Sequence, residues 1–334
     1  LRIIWQNVIV KVTILLVNKR KTGGNSMIHE VKFPSYNQRD DVYGWIYVPA
    51  AKIKGVVQIV HGFGEHSRRY LHMISKLMDA GYIVAADDHV GHGKTALEND
   101  TWGNWGSKGC RTMMEDEHTL KQIVQEKYPD MPYFMYGHSM GSIICRQFIA
   151  AYGEELNGAI ICGTVGPDAI PCEEGIRILR PLIEAGKGDE AEPTLAGDLL
   201  GGLFSRIDEE VKIGNEWICH DPYVQADHAA DPFDAFTKPT CNEAFLQFVE
   251  MIQEVNTPEW AAKVPKIPLY NIAGGEDPCG SFGEGVKLVS KWLEETGHDV
   301  TTKIYEGYRH EIHNYADLKD EVEAGMVVFL DGAL

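Results

Sequence analysis

From residue 27 onward, short apolar runs alternate with segments whose apolar residues recur every three or four positions. The runs at 28–33, 42–48, 56–60, 82–86, 133–136, 159–162, 269–273 and 302–305 are rich in β-branched and aromatic residues, and most suit strands covered on both faces. The second run differs, because Val42, Gly44, Ile46 and Val48 alternate with polar or aromatic neighbours, and with the first it reads as an opening pair. Between the runs the spacing predicts helices over 70–80, 113–128, 145–152, 286–295 and 317–330. Strand and helix in this alternation make βαβ units, so the expected fold is α/β, with a mostly parallel sheet flanked by helices.

The rhythm lapses from about 167 to 259. Helical spacing persists there over 176–185, 196–204 and 242–255, punctuated by Gly and Pro. The expectation is a helical cap at 167–259, inserted into a core made of 27–166 and 260–334 and lying over the carboxyl ends of the strands, where ligands of α/β sheets bind. No internal repeat or low-complexity segment is present.

Residues 1–26 look foreign to the rest. They hold five basic residues and no acid, and their apolar stretch is interrupted by Gln6, Asn7, Lys11 and Thr13. That stretch is too short to span a bilayer, and its basic cluster follows it, the reverse of a signal peptide. Back-translation of Thr22-Gly23-Gly24 can contain a bacterial ribosome-binding sequence just before the Met27 codon. Residues 1–26 are therefore expected to be translated leader, with a short membrane-surface anchor as the rival reading.

At 334 residues and 44% hydrophobic content, the chain has enough apolar material for a large core. Its formal charge of −18 excludes nucleic acid as a partner and disfavours adsorption to anionic membranes by charge alone. Seven scattered cysteines with no C-x-x-C fit free thiols in a reducing compartment, hence a cytoplasmic location.

The candidate chemistry centres on Gly137-His138-Ser139-Met140-Gly141, which falls where one strand should end and a helix begin. An elbow sharp enough to present a serine hydroxyl strains the serine backbone and leaves no room for side chains at Gly137 and Gly141. Serine attacks at neutral pH only if a base takes its proton, and a carboxylate must hold that base in one tautomer. Downstream, the loop after 269–273 offers Gly274-Gly275-Glu276-Asp277, and the loop after 302–305 ends on His310. Asp277 is favoured over Glu276 and over Asp168, and His310 over His313. A developing oxyanion needs backbone donors, one from Met140 after the nucleophile and one from the glycine-rich loop His61-Gly62-Phe63-Gly64, for which Phe63 is the choice. His61 reads as a brace for that loop rather than a proton carrier.

Two other patterns fail on spacing. Gly91-His92-Gly93-Lys94-Thr95 ends like a phosphate-binding loop, but Asp88 stands where the first glycine should be. The paired histidines lack the i, i+4 spacing with intervening Glu of a zinc-protease helix, so no metal and no cofactor are expected.

Four motifs in order carry a resemblance: His61-Gly62-Phe63-Gly64-Glu65-His66-Ser67-Arg68-Arg69-Tyr70, then Asp87-Asp88-His89-Val90-Gly91-His92-Gly93-Lys94-Thr95, then the Ser139 pentapeptide, then Tyr305-Glu306-Gly307-Tyr308-Arg309-His310. From about Ser35 onward the chain resembles the monoglyceride lipase and lysophospholipase-like branch of the α/β-hydrolase fold. The resemblance implies Ser139 as nucleophile, Asp277 and His310 as its partners, Phe63 and Met140 as oxyanion donors, and a small lipid ester as substrate. Within the cap only Trp217 and Asp231-Pro232-Phe233 show a loose likeness. The cap's most apolar piece, Leu199-Leu200-Gly201-Gly202-Leu203-Phe204, reads either as a helix buried within the cap or as an acyl-chain tunnel or lip for transient, peripheral membrane contact.

Overall fold

A computed structural model describes residues 27–192, 194–207, 210–234 and 238–334, apart from the side chain of Ala196. The leader expected at 1–26 lies outside the described residues. The eight anticipated strands form: β1 (Met27–Pro34), β2 (Asp41–Val48), β3 (Gly55–Val60), β4 (Tyr82–Asp88), β5 (Tyr133–His138), β6 (Gly158–Cys162), β7 (Leu269–Gly274) and β8 (Val300–Tyr305). They build one sheet in the order β1-β2-β4-β3-β5-β6-β7-β8. β2 runs antiparallel to both β1 and β4, and all other pairs are parallel.

Burial explains the patterns. β3 to β7 are buried at every position, which is why their runs are apolar without alternation. In β2, Val42, Gly44 and Ile46 are buried while Tyr43 and Trp45 are only half covered, so its period of two survives. β8 lies at an edge and is mostly half-exposed, so its first two residues, Val300 and Thr301, escaped the apolar signal.

The helices are α1 (Leu71–Asp79), α2 (Gly93–Asn99), α3 (Thr112–Lys127), α4 (Met140–Tyr152), α5 (Cys172–Glu184), α6 (Leu195–Leu200), α7 (Pro222–Ala230), α8 (Asn242–Val255), α9 (Pro258–Ala261), α10 (Glu284–Glu295) and α11 (Lys319–Gly332). α2, α7 and α9 were not anticipated. For α7 a start signal was available, since Asp221 caps the helix by accepting from the N–H of Tyr223 and Pro222 occupies the first turn.

Among the described residues no strand lies between β6 and β7. That stretch is tied to the sheet layer through Arg146 on α4, which donates to the carbonyl of Val255 at 2.5 Å and to Asn256 Oδ1 at 2.9 Å, with its guanidinium over the Trp260 ring. A buried arginine is costly unless its donors are met, and here both terminal nitrogens find acceptors, on Val165, Val255 and Asn256. No helix among the described residues is long and apolar enough to cross a membrane.

Candidate active site

The chain leaves β3 for β4 on one side and then returns to β5 on the other, so the sheet order reverses between β3 and β5. A crevice opens at the carboxyl ends of strands at such a reversal. The loop after β3 carries His61 to His66, and the turn after β5 carries Ser139, so the topology brings two of the sequence motifs to one crevice.

Ser139 has φ +56° and ψ −120°, a left-handed setting for a residue with a side chain. Its N–H is held by the carbonyl of Cys162 at 3.0 Å. The flanking glycines answer to contact: a Cβ on Gly137 would lie 2.2 Å from the carbonyl oxygen of Gly141, and one on Gly141 would lie 2.1 Å from that of Val60. No side chain fits at those separations, and the turn presses α4 directly onto the end of β3. Met140 is the first residue of α4, so its N–H has no acceptor within the helix.

Beyond β7, Asp277 is fully buried, and its Oδ2 accepts from Nδ1 of His310 at 2.9 Å while Oδ1 accepts from the N–H of Cys279 at 2.8 Å. His310 follows β8 and is also buried. Burial by itself would lower its pKa, but the charge and hydrogen bond of Asp277, with help from Cys279, raise it well above the ordinary 6.5. Nε2 of His310 has no hydrogen-bond partner among the described residues. Ser139 and His310 line the same pocket, together with Gly62 and Phe63.

The rival residues stand elsewhere. Glu276 and Asp168 are exposed. His313 is buried, stacks on Tyr70 with ring centres 4.9 Å apart, and faces the Tyr136 hydroxyl. Burial, then the nearby His138, pushes its pKa down to about 3, so it stays neutral.

His61 is held from both sides. Its Nδ1 bonds the carbonyl of Gly62 at 2.8 Å, its Nε2 accepts from the N–H of His89 at 3.0 Å, and its ring stacks on that of His89. Burial, then His89 and His92, hold its pKa well below 6.5, so the ring acts as a neutral strut between two loops. In the false phosphate loop, Lys94 pairs with Glu30 at 2.6 Å and the Thr95 hydroxyl accepts from the N–H of Tyr43 at 2.9 Å.

Among the described residues four groups of side chains lie close enough to hold an ion: the buried Asp277, Cys279 and His310; the buried Asp87, His89 and Glu117; the buried His138, Cys162 and His313; and the more exposed His72, Asp320 and Glu323. In the second, Nδ1 of His89 lies 3.2 Å from Asp87 and 3.4 Å from Glu117. Burial, then the neighbouring Asp87, raises the Glu117 pKa well above the ordinary carboxyl value.

The pocket wall comes largely from the stretch between β6 and β7. Val165, Ile170, Leu200, Leu203, Trp217 and Phe248 line it, and the Trp217 ring lies 5.0 Å from that of His310. Leu199 and Leu203 are buried and Leu200, half-buried, lines the pocket, so the apolar piece turns its leucines inward. Sequence reasoning passed over a second group beside Ser139: Glu65, Arg69, His138 and Glu311. Charged residues at i and i+4 in the 61–70 segment were the available signal.

The protein family described as Serine aminopeptidase, S33 matches residues 51–317. A thermostable carboxyl esterase from Bacillus coagulans, solved in complex with glycerol, superposes with a TM-score of 0.89 at 54% identity over 92% of this chain and 98% of that one. A structure described as a lipase in its open form gives a TM-score of 0.87 at 37% identity, over 92% and 99% of the two chains. The monoacylglycerol lipase of Mycolicibacterium smegmatis is 27% identical over 85% of this chain and 92% of its own.

Proposed function

Because this chain belongs to the serine aminopeptidase S33 family, within the monoglyceride lipase-like α/β-hydrolases, we propose that it cleaves carboxylic esters of single-chain lipids through an acyl-enzyme on Ser139. One observation carries the reading: a serine on a strained strand-to-helix elbow shares a pocket with a histidine whose other nitrogen is bonded to a buried carboxylate. The related enzymes act on esters, as their descriptions state, and support ester hydrolysis here.

In the first step Ser139 Oγ attacks the ester carbonyl as Nε2 of His310 takes its proton. The oxyanion is met by the N–H groups of Met140 and Phe63, and collapse expels the alcohol with the proton from His310. In the second step His310 draws a proton from water, which attacks the acyl-enzyme, and collapse breaks the bond to Oγ, frees the acid and returns the proton from His310 to Ser139. Asp277 keeps the proton on Nδ1 and stabilises the imidazolium. The leucines and Phe248 of the pocket supply an apolar wall for a single acyl chain. This chemistry needs no cofactor. With its seven free thiols the enzyme belongs in the cytoplasm, meeting its substrate by transient contact of the cap with lipid.

The test is Ser139→Ala, with labelling by a fluorophosphonate. Loss of both turnover and labelling, with an unchanged melting curve, is the expected result. An alanine variant that still hydrolysed ester would overturn the assignment. The 54% likeness to a carboxyl esterase favours a second reading, a small-ester carboxylesterase on the same residues. Monoacylglycerols of several lengths, a lysophospholipid, a short-chain ester and an aminoacyl-arylamide, compared on one preparation, separate the two and test the amide reading in the family's description.

A further inference from the structure

Glu65 is buried beside the nucleophile, and both of its carboxylate oxygens are engaged. Oε1 accepts from the N–H of Gly62 at 2.6 Å, from the Tyr70 hydroxyl at 2.7 Å and from Nδ1 of His138 at 3.2 Å. Oε2 accepts from Arg69 at 3.0 Å, and Arg69 reaches on to both oxygens of Glu311. One carboxylate therefore touches the loop that carries Phe63, the residue before Ser139, and an arginine tied to the residue after His310. Nε2 of His138, 3.4 Å from the carbonyl of His310, adds a second route between the same parts.

The Gly62 contact matters most. A Cβ on Gly62 would lie 2.6 Å from Glu65 Oε1 and 3.0 Å from the Cβ of Ser139, so this peptide is wedged between the carboxylate and the nucleophile. Fixing the N–H of Gly62 limits the rotation of the backbone into Phe63, whose N–H must already point at the oxyanion site before reaction. Burial works against a charge on Glu65, but the hydrogen bond and charge of His138, then Arg69, hold its carboxyl well below the ordinary value. A charged acceptor makes each of these bonds stronger than a neutral one would.

We infer that Glu65 is a positioning residue for ester hydrolysis: it locks the Gly62 peptide so that the N–H of Phe63 faces the oxyanion, in register with Ser139 and His310. The inference rests on the reading of Ser139 as nucleophile. A residue that only supported folding would affect stability or substrate and transition state alike. A residue that aims an oxyanion donor affects the transition state selectively.

The experiment compares Glu65→Gln and Glu65→Ala with the parent enzyme on a soluble short-chain ester, alongside inhibition by a trifluoromethyl ketone, whose serine adduct carries the oxyanion. Glu65→Ala is expected to lose about 100-fold in kcat, the scale of one oxyanion donor, with KM within about threefold. Glu65→Gln, which keeps an acceptor for Gly62 without the charge, is expected to lose about tenfold. Ketone affinity should fall in parallel with kcat/KM in both. A kcat loss without that parallel, or neither variant losing more than threefold, overturns the inference. If Glu65→Ala does not fold, Glu65→Gln decides by the same criteria. Ser139→Ala separates the two levels: an active alanine variant sinks the nucleophile assignment, whereas an inactive one beside unimpaired Glu65 variants sinks only the role of Glu65.

Discussion

Oδ2 of Asp277 and Nδ1 of His310 stand 2.9 Å apart, both out of contact with solvent, although 33 residues separate them in the chain. The carboxylate fixes which imidazole nitrogen bears the proton. Asp277→Asn should leave the fold largely intact and lower kcat by about 10⁴-fold, because an amide can hold the ring in the wrong tautomer. Steady-state kinetics on a soluble ester checks this, and a variant retaining a tenth of parental activity would remove Asp277 from the catalytic set.

On the proposed mechanism the same pair should set the acid limb of activity. His310 would work as a base only when neutral, and Asp277 holds its pKa well above the ordinary 6.5 against the effect of burial. The kcat/KM of the parent should therefore rise with pH through a midpoint above 6.5, and Asp277→Asn should move the residual activity's midpoint down. For stability the sign is opposite. The charged pair contributes fully below about pH 6.5 and loses that contribution as pH rises through the raised value. A pH series of urea midpoints for parent and Asp277→Asn should show the difference between them shrinking towards alkaline pH.

Buried neutral histidines act in the other direction. His313 titrates at about 3 and His92 at about 4, in each case chiefly because burial disfavours the cation. Between these values and 6.5 the unfolded chain binds protons that the folded protein refuses, so stability falls as pH drops through that window. Each such histidine contributes a slope of up to about 1.4 kcal/mol per pH unit. Replacing His313 by Phe should flatten the acid decline of the urea midpoint, and an unchanged slope would count against a buried neutral His313.

Leu203 faces the pocket from a short helical turn, Gly201–Phe204, after α6. Leu203→Trp should shorten the space for an acyl chain, lowering kcat/KM for a dodecanoyl ester by roughly tenfold while leaving a butanoyl ester within threefold. Equal losses on both esters would place the chain elsewhere.

Gly141 touches the end of β3 without a side chain. Gly141→Ala would set a methyl 2.1 Å from the Val60 carbonyl oxygen, which is backbone and cannot swing away. The elbow must shift, at a cost on the order of 3 kcal/mol, together with most activity. Urea denaturation and ester turnover on the same sample measure both.

The amino-acid sequence by itself determined the elements of the sheet layer, because strands buried on both faces must be apolar throughout and amphipathic helices must repeat their apolar residues at 3.6. It also marked the elbow, where Gly137 and Gly141 stand beside Ser139, and ordered Asp277 and His310 on loops after later strands. What it left open were questions of direction and neighbour. Glu276 and Asp277 are adjacent and chemically alike, and only packing turned one into solvent and buried the other against His310. The pocket wall was equally hidden, since Leu203, Trp217 and Phe248 meet there from separate segments with no shared spacing. Glu65 appeared in a motif as one charged residue among several. Its contacts to Gly62, Arg69 and Tyr70 lie within its own segment, but the one to His138 exists because the reversal of strand order between β3 and β5 presses the loop after one against the turn after the other, and a contact across that seam has no periodicity along the chain.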